Sequence, residues 1–397
     1  MNQFKIFHLP LILLAVAFTF VSAGEARDAK DSVSSVVSNC LFYVGTYTGA
    51  KSKGIYLCRM NLTNGALTPL GLAAETPNPA FLALEPRGRF LYAANEIGNF
   101  AGKPEGAVTA YAIEAGSGKL TLLNQRSSAG AGPCHIILDR MGRNALVANY
   151  GNGSLAVLPI QTDGQLANAT TYLQFEGKSI NPDRQEKPHT HCLTLDAANR
   201  FAFACDLGID KIMAYRFDPI HGKLTPNEPP FVSVKPGSGP RHLTFRPDGR
   251  FAYLLNELSS TIVVFAYEPR HGVLKEDQTI STLNPDFAGK SAAAEIAVHP
   301  SGKFLYASNR GDDSIAVFAI DAKKGTLNFV QRQSTLGKTP RYFGLAPNGK
   351  FLIAANQDSG TLVVFTIEPA TGQLADTGHK LEISAPGCLQ FLPGISK

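Results

Sequence analysis

Four ionisable residues stand at equivalent positions of a repeated sequence pattern, and together they can combine acid–base chemistry with anion binding. His191 and Arg241 lie shortly after a proline, whereas Glu257 and Arg310 follow an asparagine. Histidine and glutamate exchange protons with substrates, and permanently charged arginines bind carboxylate or phosphate groups. Two arginines in one small volume require an anion between them or a carboxylate beside them. These four residues therefore form our predicted catalytic site.

A second group of ionisable residues occupies the same or adjacent positions of the pattern. We expect them to bind substrate or to orient the four catalytic residues: His189, His135, His242, Glu295 and Arg341. Taken singly, a histidine or arginine at the end of a strand is more often structural than functional. The accumulation of such residues on adjacent repeats favours a functional site.

The repeated pattern itself predicts the elements that position these residues. It reads Pro-x-x-φ-x-φ-x-x-Gly-Arg/Lys-Phe-φ-x-x-x-Asn, and its clearest copy runs from Pro240 to Asn256. Apolar residues alternate with period two on both sides of the Pro-Asp-Gly-Arg turn, which indicates a β-hairpin. Two further extended segments complete each unit. Four-stranded units of roughly 50 residues are typical of β-propeller blades.

The two ends of the chain determine the number of blades. Six complete copies of the pattern are present, and residues 41–70 supply three strands of another copy that lacks its first strand. That strand is found at the far end of the chain, in residues 386–391. We therefore predict an all-β, seven-bladed β-propeller over residues 40–397, closed by pairing of the C-terminal strand within the N-terminal blade. Closure of this kind removes open strand edges.

The propeller topology also predicts where the ionisable residues meet. The innermost strand of a blade begins, and the next strand ends, at the same rim of the ring. Residues that follow the proline and residues that follow the asparagine should therefore converge around one mouth of the central channel. We expect the predicted catalytic residues at that mouth.

The N-terminal region predicts export from the cytoplasm. Lys5 precedes an apolar run from Leu9 to Val21, and small residues end this segment, so residues 1–23 resemble a cleavable signal peptide. Residues 24–39 form a polar leader that we expect to be disordered. No second apolar run is long enough to span a bilayer. We predict a periplasmic or secreted monomer, and the net charge of +5 is too small to indicate a nucleic-acid partner.

Cysteine and histidine spacing predicts neither a metal site nor a cofactor. The six cysteines include no close CxxC pair, and we expect most of them to be buried thiols, although a disulfide is an open alternative. No clustered set of Asp, Asn, His or Cys residues has the spacing of a calcium or zinc site.

Several short motifs resemble those of a known family. They are Tyr43-Val-Gly-Thr-Tyr-Thr48, Pro188-His-Thr-His191, Gly239-Pro-Arg-His242, Asn256-Glu257, Ser308-Asn-Arg310 and Pro340-Arg341. The family is that of the seven-bladed lactonases, with the bacterial propeller-type 6-phosphogluconolactonases and the fungal 3-carboxy-cis,cis-muconate lactonizing enzymes. The resemblance covers residues 41–393. It implies a metal-independent lactonase with site residues at His191 (or His189), Arg241, Glu257 and Arg310.

The resemblance implies hydrolysis of a sugar-derived, 6-phosphogluconolactone-like lactone or of another acidic lactone, and it leaves alternatives. One is lactonization of a carboxymuconate at the same site. Another is a propeller that binds proteins without catalysis, because fold does not determine function. Tyr342 stands where the family motif has an asparagine, and export would separate the protein from cytoplasmic phosphosugars. His191 and Glu257 are both candidates for the general base.

Overall fold

The computed structural model describes Met1 and residues 39–393. The predicted signal peptide (1–23) and leader (24–39) therefore lie outside the described residues, apart from Met1 and Asn39. Asn39 begins the first strand. Residues 39–393 contain twenty-eight strands and no helix, arranged as seven sheets of four antiparallel strands. The predicted all-β, seven-bladed propeller is confirmed. Within the same residues, no helix is long and apolar enough to cross a membrane.

The blades are numbered in chain order. Blade 1 contains β1 (Asn39–Thr46), β2 (Gly54–Asn61) and β3 (Leu67–Glu75), with β28 (Pro386–Phe391) as its inner strand. Blade 2 contains β4 (Pro79–Leu84), β5 (Phe90–Asn95), β6 (Ala107–Ile113) and β7 (Leu120–Ser127). Blade 3 contains β8 (Pro133–Leu138), β9 (Asn144–Asn149), β10 (Ser154–Pro159) and β11 (Thr171–Gln174). Blade 4 contains β12 (Thr190–Leu195), β13 (Phe201–Asp206), β14 (Lys211–Asp218) and β15 (Lys223–Ser233).

The remaining three blades follow the same order from inner to outer strand. Blade 5 contains β16 (Pro240–Phe245), β17 (Phe251–Asn256), β18 (Thr261–Glu268) and β19 (Val273–Ser281). Blade 6 contains β20 (Ala292–Val298), β21 (Phe304–Arg310), β22 (Ser314–Ile320) and β23 (Leu327–Ser334). Blade 7 contains β24 (Pro340–Leu345), β25 (Phe351–Asn356), β26 (Thr361–Ile367) and β27 (Leu374–Glu382).

The ring closes through the pairing predicted from the incomplete first copy of the pattern. Strand β28 pairs with β1 in antiparallel register, with Val44 opposite Leu389. The inner strands of neighbouring blades contact one another all the way around, from β28 through β4, β8, β12, β16, β20 and β24 back to β28. A central channel lined by seven inner strands results.

Buried tyrosines join successive blades. A phenolic hydroxyl on the second strand of one blade donates to a glycine carbonyl in the outer turn of the next blade, which satisfies a polar group that would be costly to bury alone. The pairs are Tyr43 with Gly118 (2.6 Å), Tyr92 with Gly164 (2.9 Å), Tyr253 with Gly325 (3.0 Å) and Tyr306 with Gly372 (2.9 Å). The alternating apolar pattern thus fills the space between blades, and these bonds join neighbouring blades at four of the seven junctions.

Candidate functional site

A small charged cavity lies at the end of the channel where the inner strands begin, and we call it the upper cavity. Its volume is about 160 Å³. It is lined by Glu96, Cys134, Tyr150, Arg184, His191, Glu257, Arg310 and Arg341. The lining combines arginines and carboxylates with one histidine and one tyrosine, in agreement with the mouth predicted from the repeat.

The repeated asparagines explain why cavity residues stand where they do. The asparagine lies at the end of the second strand of its blade or one residue before it, and in blades 2, 3, 6 and 7 its side chain bonds the connection that enters that blade. Asn149 donates through Nδ2 to the carbonyl of Ser128 (3.0 Å), and Asn309 donates in the same way to Thr282 (3.3 Å). Because the asparagine side chain is anchored, the residue that follows it is fixed at the channel mouth. Those following residues include Tyr150 and Arg310.

Glu257 is the centre of the charged cluster. Its Oε1 lies 2.6 Å from Nη2 of Arg184. Its Oε2 lies 3.0 Å from Nε of Arg241 and 2.9 Å from Nη2 of Arg310. One buried carboxylate therefore neutralises part of the charge of three arginines that come from different blades or connections.

The three arginines determine the protonation state of Glu257. Burial alone would raise the pKa of this carboxyl, but the charges of Arg310, Arg241 and Arg184 oppose burial and lower the pKa to about 2. Glu257 is therefore ionised throughout the neutral range. A carboxylate that binds protons so weakly is better suited to holding cations than to accepting a proton from water.

Arg241 lies behind Glu257 and does not line the upper cavity. Its Nη1 donates to Nε2 of His242 (3.2 Å) and to the carbonyl of Ala294. Burial and the nearby charge of Arg310 lower the pKa of Arg241 to about 10, so its guanidinium remains charged at neutral pH. This arginine is placed to support Glu257 rather than to contact a ligand in the cavity directly.

Arg310 and Arg341 both face the upper cavity but differ in how firmly they are held. Arg310 donates to the carbonyls of Ala292 (3.1 Å) and Ala293 (3.3 Å), in addition to pairing with Glu257. The guanidinium of Arg341 lies 5.1 Å above the ring of Tyr47 and forms no hydrogen bond with any residue in the described part of the chain. Arg341 therefore presents unused donors to the cavity.

His191 is the histidine of the upper cavity. Its ring makes edge-on contacts with Tyr150 (5.6 Å between centroids) and His242 (5.2 Å). Its Nδ1 is buried and has no hydrogen-bond partner among the described residues. Burial lowers the pKa of His191 well below its usual range, and the charge of Arg241 lowers it further. The imidazole is therefore neutral at neutral pH and can accept a proton.

His189 is not at the upper cavity, although it lies two residues before His191. Its ring stacks on Tyr150 at 4.5 Å, its Nδ1 lies 3.0 Å from the Tyr150 carbonyl, and its Nε2 lies 3.1 Å from Oε1 of Glu186. His189 therefore supports Tyr150 from behind. Of the nine predicted site residues, the structure brings His191, Glu257, Arg310 and Arg341 together on the cavity wall.

The other predicted residues, His135, His242 and Glu295, line a second cavity of about 460 Å³, which we call the lower cavity. It lies at the opposite end of the channel, since Asp196 and Arg246, which follow the ends of two inner strands, also line it. Nδ1 of His242 is 3.2 Å from Oε2 of Glu295. These two residues therefore do not line the upper cavity, and His242 is linked to it through its bond with Arg241 and its ring contact with His191.

Arg184, Tyr150 and Glu96 line the upper cavity and were not among the predicted site residues. Tyr150 and Glu96 follow repeated asparagines, so the pattern indicated their position, but neither was selected. Arg184 lies in the connection between β11 and β12, the longest between two blades within residues 39–393. Gly142 and Asn199 occupy the same position in successive copies of the pattern, and their separation is the widest of all. This separation indicated an insertion, but it did not indicate which inserted residue lines the cavity.

Comparison with known proteins identifies the family. The model of the family described as "Lactonase, 7-bladed beta-propeller" matches residues 41–391. The chain belongs to this family. A lactone is a cyclic ester, so lactonases are carboxylic ester hydrolases. Within residues 39–393, no three His, Cys, Asp or Glu side chains lie close enough together to hold a metal ion.

Individual members of the lactonase family are similar over nearly their whole length. A 6-phosphogluconolactonase of Bacillus subtilis is 38% identical over 350 residues, which is 88% of this chain and 97% of the relative. A 6-phosphogluconolactonase of Formosa agariphila is 32% identical over 76% of this chain and 85% of the relative. The solved structure of a periplasmic gluconolactonase of Pseudomonas aeruginosa superposes with a TM-score of 0.84, at 38% identity, over 90% of this chain and 99% of that protein.

Proposed function

We propose that this lactonase hydrolyses a sugar-derived lactone that carries an anionic group, of the 6-phosphogluconolactone type. The single observation that supports an anionic substrate best is the excess of arginine in the upper cavity. Arg184, Arg310 and Arg341 line it, against the carboxylates Glu257 and Glu96. Arg241 adds a further positive charge directly behind Glu257. A phosphate or carboxylate on the substrate would balance this excess.

Arg341 is the residue that we propose to bind the substrate anion. Its guanidinium is held over the ring of Tyr47 and makes no hydrogen bond to the described residues, so a ligand would not have to break an existing ion pair. Tyr47 is in turn fixed by a hydrogen bond from its hydroxyl to Oε2 of Glu96 (2.5 Å). The planar, permanently charged guanidinium matches two oxygens of a phosphate or a carboxylate.

His191 is the general base in our proposal. Of the two residues expected for proton transfer, His191 is neutral and faces the cavity, whereas Glu257 is ionised and already bound by three arginines. His191 would take a proton from the water that attacks the lactone carbonyl. The imidazolium formed would then return this proton to the ring oxygen as the ester bond breaks. Positioned proton transfer of this kind typically contributes about 10²- to 10⁴-fold to the rate.

Arg310 is proposed to stabilise the charge that develops on the carbonyl oxygen. The guanidinium of Arg310 is fixed before substrate binds, because it bonds the carbonyl of Ala292 and the carboxylate of Glu257. Little reorganisation is therefore needed during the reaction. Glu257 and Arg241 then serve as positioning residues for Arg310. Arg184, on its separate connection, covers the remaining side of the cavity and bonds both Glu257 and the hydroxyl of Tyr150 (3.1 Å).

The proposal is tested by measuring acid release from a panel of lactones with the purified protein, after subtraction of spontaneous hydrolysis. The panel contains 6-phosphogluconolactone, unphosphorylated gluconolactone and a carboxymuconolactone. We expect the highest kcat/KM on the phosphorylated sugar lactone. Preference for carboxymuconate as a ring-opened substrate would instead support the lactonizing reaction. If no lactone is turned over, the enzymatic proposal fails and the non-catalytic propeller becomes the better explanation.

The role of Arg341 is tested separately with Arg341→Gln. Loss of a charged hydrogen bond is expected to raise KM for the phosphorylated lactone by about 10- to 100-fold, and to weaken inhibition by inorganic phosphate by a similar factor. KM for unphosphorylated gluconolactone should change much less. Arg59→Gln, on the exposed face of β2, is the matched control and should leave both substrates unaffected. Equal losses on both lactones would contradict an anion-binding role.

We further propose that the protein acts as an exported monomer. Blades 2 to 7 of a single ring supply residues that line the upper cavity. The similar Pseudomonas aeruginosa protein is described as periplasmic, and the N-terminal apolar run of the sequence supports export of this chain. N-terminal sequencing of protein recovered from cell fractions tests this: a mature chain that begins after Ala23 is expected outside the cytoplasm.

A further inference from the structure

Two cysteines face each other across the first two strands of blade 4. Cys192 on β12 lies directly opposite Cys205 on β13, and both are free, buried thiols. Directly opposed residues of antiparallel strands have Cα atoms about 4.5 to 5.5 Å apart. Disulfides occur at Cα separations of about 4.4 to 6.8 Å. The backbone positions of this pair are therefore compatible with a bond between the two sulfurs.

A histidine from the neighbouring blade is directed at one of these sulfurs. The backbone N–H of Leu193 donates to Nδ1 of His135 (3.4 Å), so in the neutral ring the hydrogen is carried by Nε2. This Nε2 lies 3.8 Å from Sγ of Cys192. A hydrogen-bond donor beside sulfur stabilises the thiolate, which is the reactive form of cysteine.

The two thiols differ in protonation. Burial alone would raise the pKa of Cys192, but the adjacent Cys205 thiol and the nearby His135 lower it well below its usual range. Burial raises the pKa of Cys205, and the adjacent Cys192 raises it further. These surroundings favour the thiolate at Cys192 and the thiol at Cys205.

Cys192 also has a route to solvent. It lines the lower cavity, which is large enough to admit a small oxidant, whereas Cys205 does not line it. Cys134 is a natural comparison because it lines the upper cavity. Burial raises the pKa of Cys134 well above its usual range, and no cysteine stands in the register of the strand that pairs with it. Cys192 and Cys134 each line a cavity, so access does not distinguish them. They differ in the direction of their pKa shifts and in whether a second cysteine lies opposite.

We propose that Cys192 and Cys205 form a hydroperoxide-reactive pair at the lower cavity, with Cys192 as the attacking sulfur and Cys205 as the resolving sulfur. The Cys192 thiolate attacks one peroxide oxygen, forming an S–O bond as the O–O bond breaks, and hydroxide leaves with the thiol proton as water. Cys205 then attacks the sulfur of this sulfenic acid, and a second water departs. Two thiols and one hydrogen peroxide thus give one disulfide and two waters.

The test begins with the reduced full chain, exposed to hydrogen peroxide while circular dichroism confirms that it remains folded. Catalase ends the reaction, the protein is denatured in N-ethylmaleimide, and peptides are analysed by mass spectrometry. We expect a linked peptide pair containing Cys192 and Cys205, formed at least about tenfold faster than any oxidation of Cys134. If both cysteines are fully alkylated after treatment, or if all cysteines oxidise at one rate, the proposal is wrong.

Variants separate the two roles within the pair. In Cys205→Ala, the sulfenic acid on Cys192 should persist and be captured by dimedone, whereas in Cys192→Ala, Cys205 should remain unlabelled. Labelling of Cys205 in the latter variant would refute the assigned order.

His135→Phe keeps an aromatic ring against Phe81 but removes the hydrogen-bond donor beside Cys192. This variant should slow disulfide formation by about tenfold, because a smaller fraction of Cys192 is thiolate. An unchanged rate would exclude His135 from the mechanism. The wild-type measurement decides the proposal even where a variant does not fold.

Discussion

Glu257 and Arg310 come from neighbouring blades, yet Oε2 of the carboxylate and Nη2 of the guanidinium are 2.9 Å apart. Glu257 follows the second strand of blade 5, and Arg310 ends the second strand of blade 6. The contact therefore depends on the angle between two blades and not on either blade alone. Because the side chain of Glu257 is almost fully buried, the pair is shielded from solvent and its attraction is much stronger than that of a surface pair.

Replacement of Glu257 by glutamine should disable the upper cavity. The neutral amide would leave Arg184, Arg241 and Arg310 without their common counter-charge, and mutual repulsion would displace them. We expect kcat/KM on the preferred lactone to fall by at least about 10²-fold, as when a preorganised group that stabilises developing charge is lost. Glu268→Gln is the matched control, since its side chain is 49% exposed and far from the cavity in the outer turn of blade 5. Wild-type kinetics in Glu257→Gln would rule out this role.

The same carboxylate predicts how stability depends on pH. The folded-state pKa of Glu257, about 2, lies below the ordinary value of 4.5 expected when the chain is unfolded. Its contribution to stability is therefore complete above about pH 4.5 and is lost as the pH falls towards 2. The difference in free energy of unfolding between the wild type and Glu257→Gln should be large at pH 7 and should shrink over this acidic window. Urea unfolding at several pH values measures it, and a difference that is constant with pH would contradict the assignment.

His191 predicts an unusual acid limb in the pH profile of activity. The active form of a general base is the deprotonated one, and burial together with Arg241 holds the pKa of His191 well below 6.5. On unphosphorylated gluconolactone, which has no phosphate that titrates at about pH 6, kcat/KM should therefore remain constant as the pH is lowered through 6.5 and fall only at more acidic pH. His191→Asn should reduce kcat by about 10²- to 10⁴-fold, while His271→Gln, on an exposed turn, should have no effect. A loss of activity centred near pH 6.5 would argue against His191 as the base.

The fold was accessible from the sequence because its signal is local and repeated. Each blade carries the same period-two hairpin, and the strand missing before Leu41 reappears at Pro386, where β28 pairs with β1 as predicted. Pairing within one blade needs only this local pattern. The number of blades followed from counting copies, and no long-range contact had to be inferred except the closure itself.

The site could be predicted only in part, because the repeated pattern does not say how far along the channel each side chain lies. Arg241 and His242 are consecutive on β16, and one residue of a strand advances about 3.3 Å while the side chain changes direction. That single step separates a residue beside the upper cavity from one that lines the lower cavity. The sequence did not identify Arg184 as a site residue for a different reason. It lies in a connection that has no counterpart in the other copies, so no comparison of repeats can place it.

The last prediction concerns Gly208, a glycine that packs against the connection between β11 and β12, residues 175–189. Gly208 follows β13 closely, and a Cβ there would overlap the carbonyl oxygen of Lys187 and approach the backbone nitrogen of His189 to 2.9 Å. Gly208→Ala should therefore push residues 175–189 away from blade 4 and separate Arg184 from Glu257, which are 2.6 Å apart in the wild type. We expect kcat/KM to fall by about tenfold, the effect of losing one charged hydrogen bond of roughly 1.5 kcal/mol.

Hydrogen exchange locates the cause of this loss. Exchange in Gly208→Ala should increase within residues 175–189 and remain unchanged in the inner strands, because their ladder bonds do not involve the displaced connection. Gly98→Ala is the matched control: Gly98 is exposed, and a Cβ there would have no neighbour within 4 Å. If Gly208→Ala keeps full activity although exchange within residues 175–189 increases, a displaced Arg184 does not affect the reaction and its proposed contribution to the cavity is incorrect. Unchanged exchange would instead contradict the role of Gly208 in holding the connection.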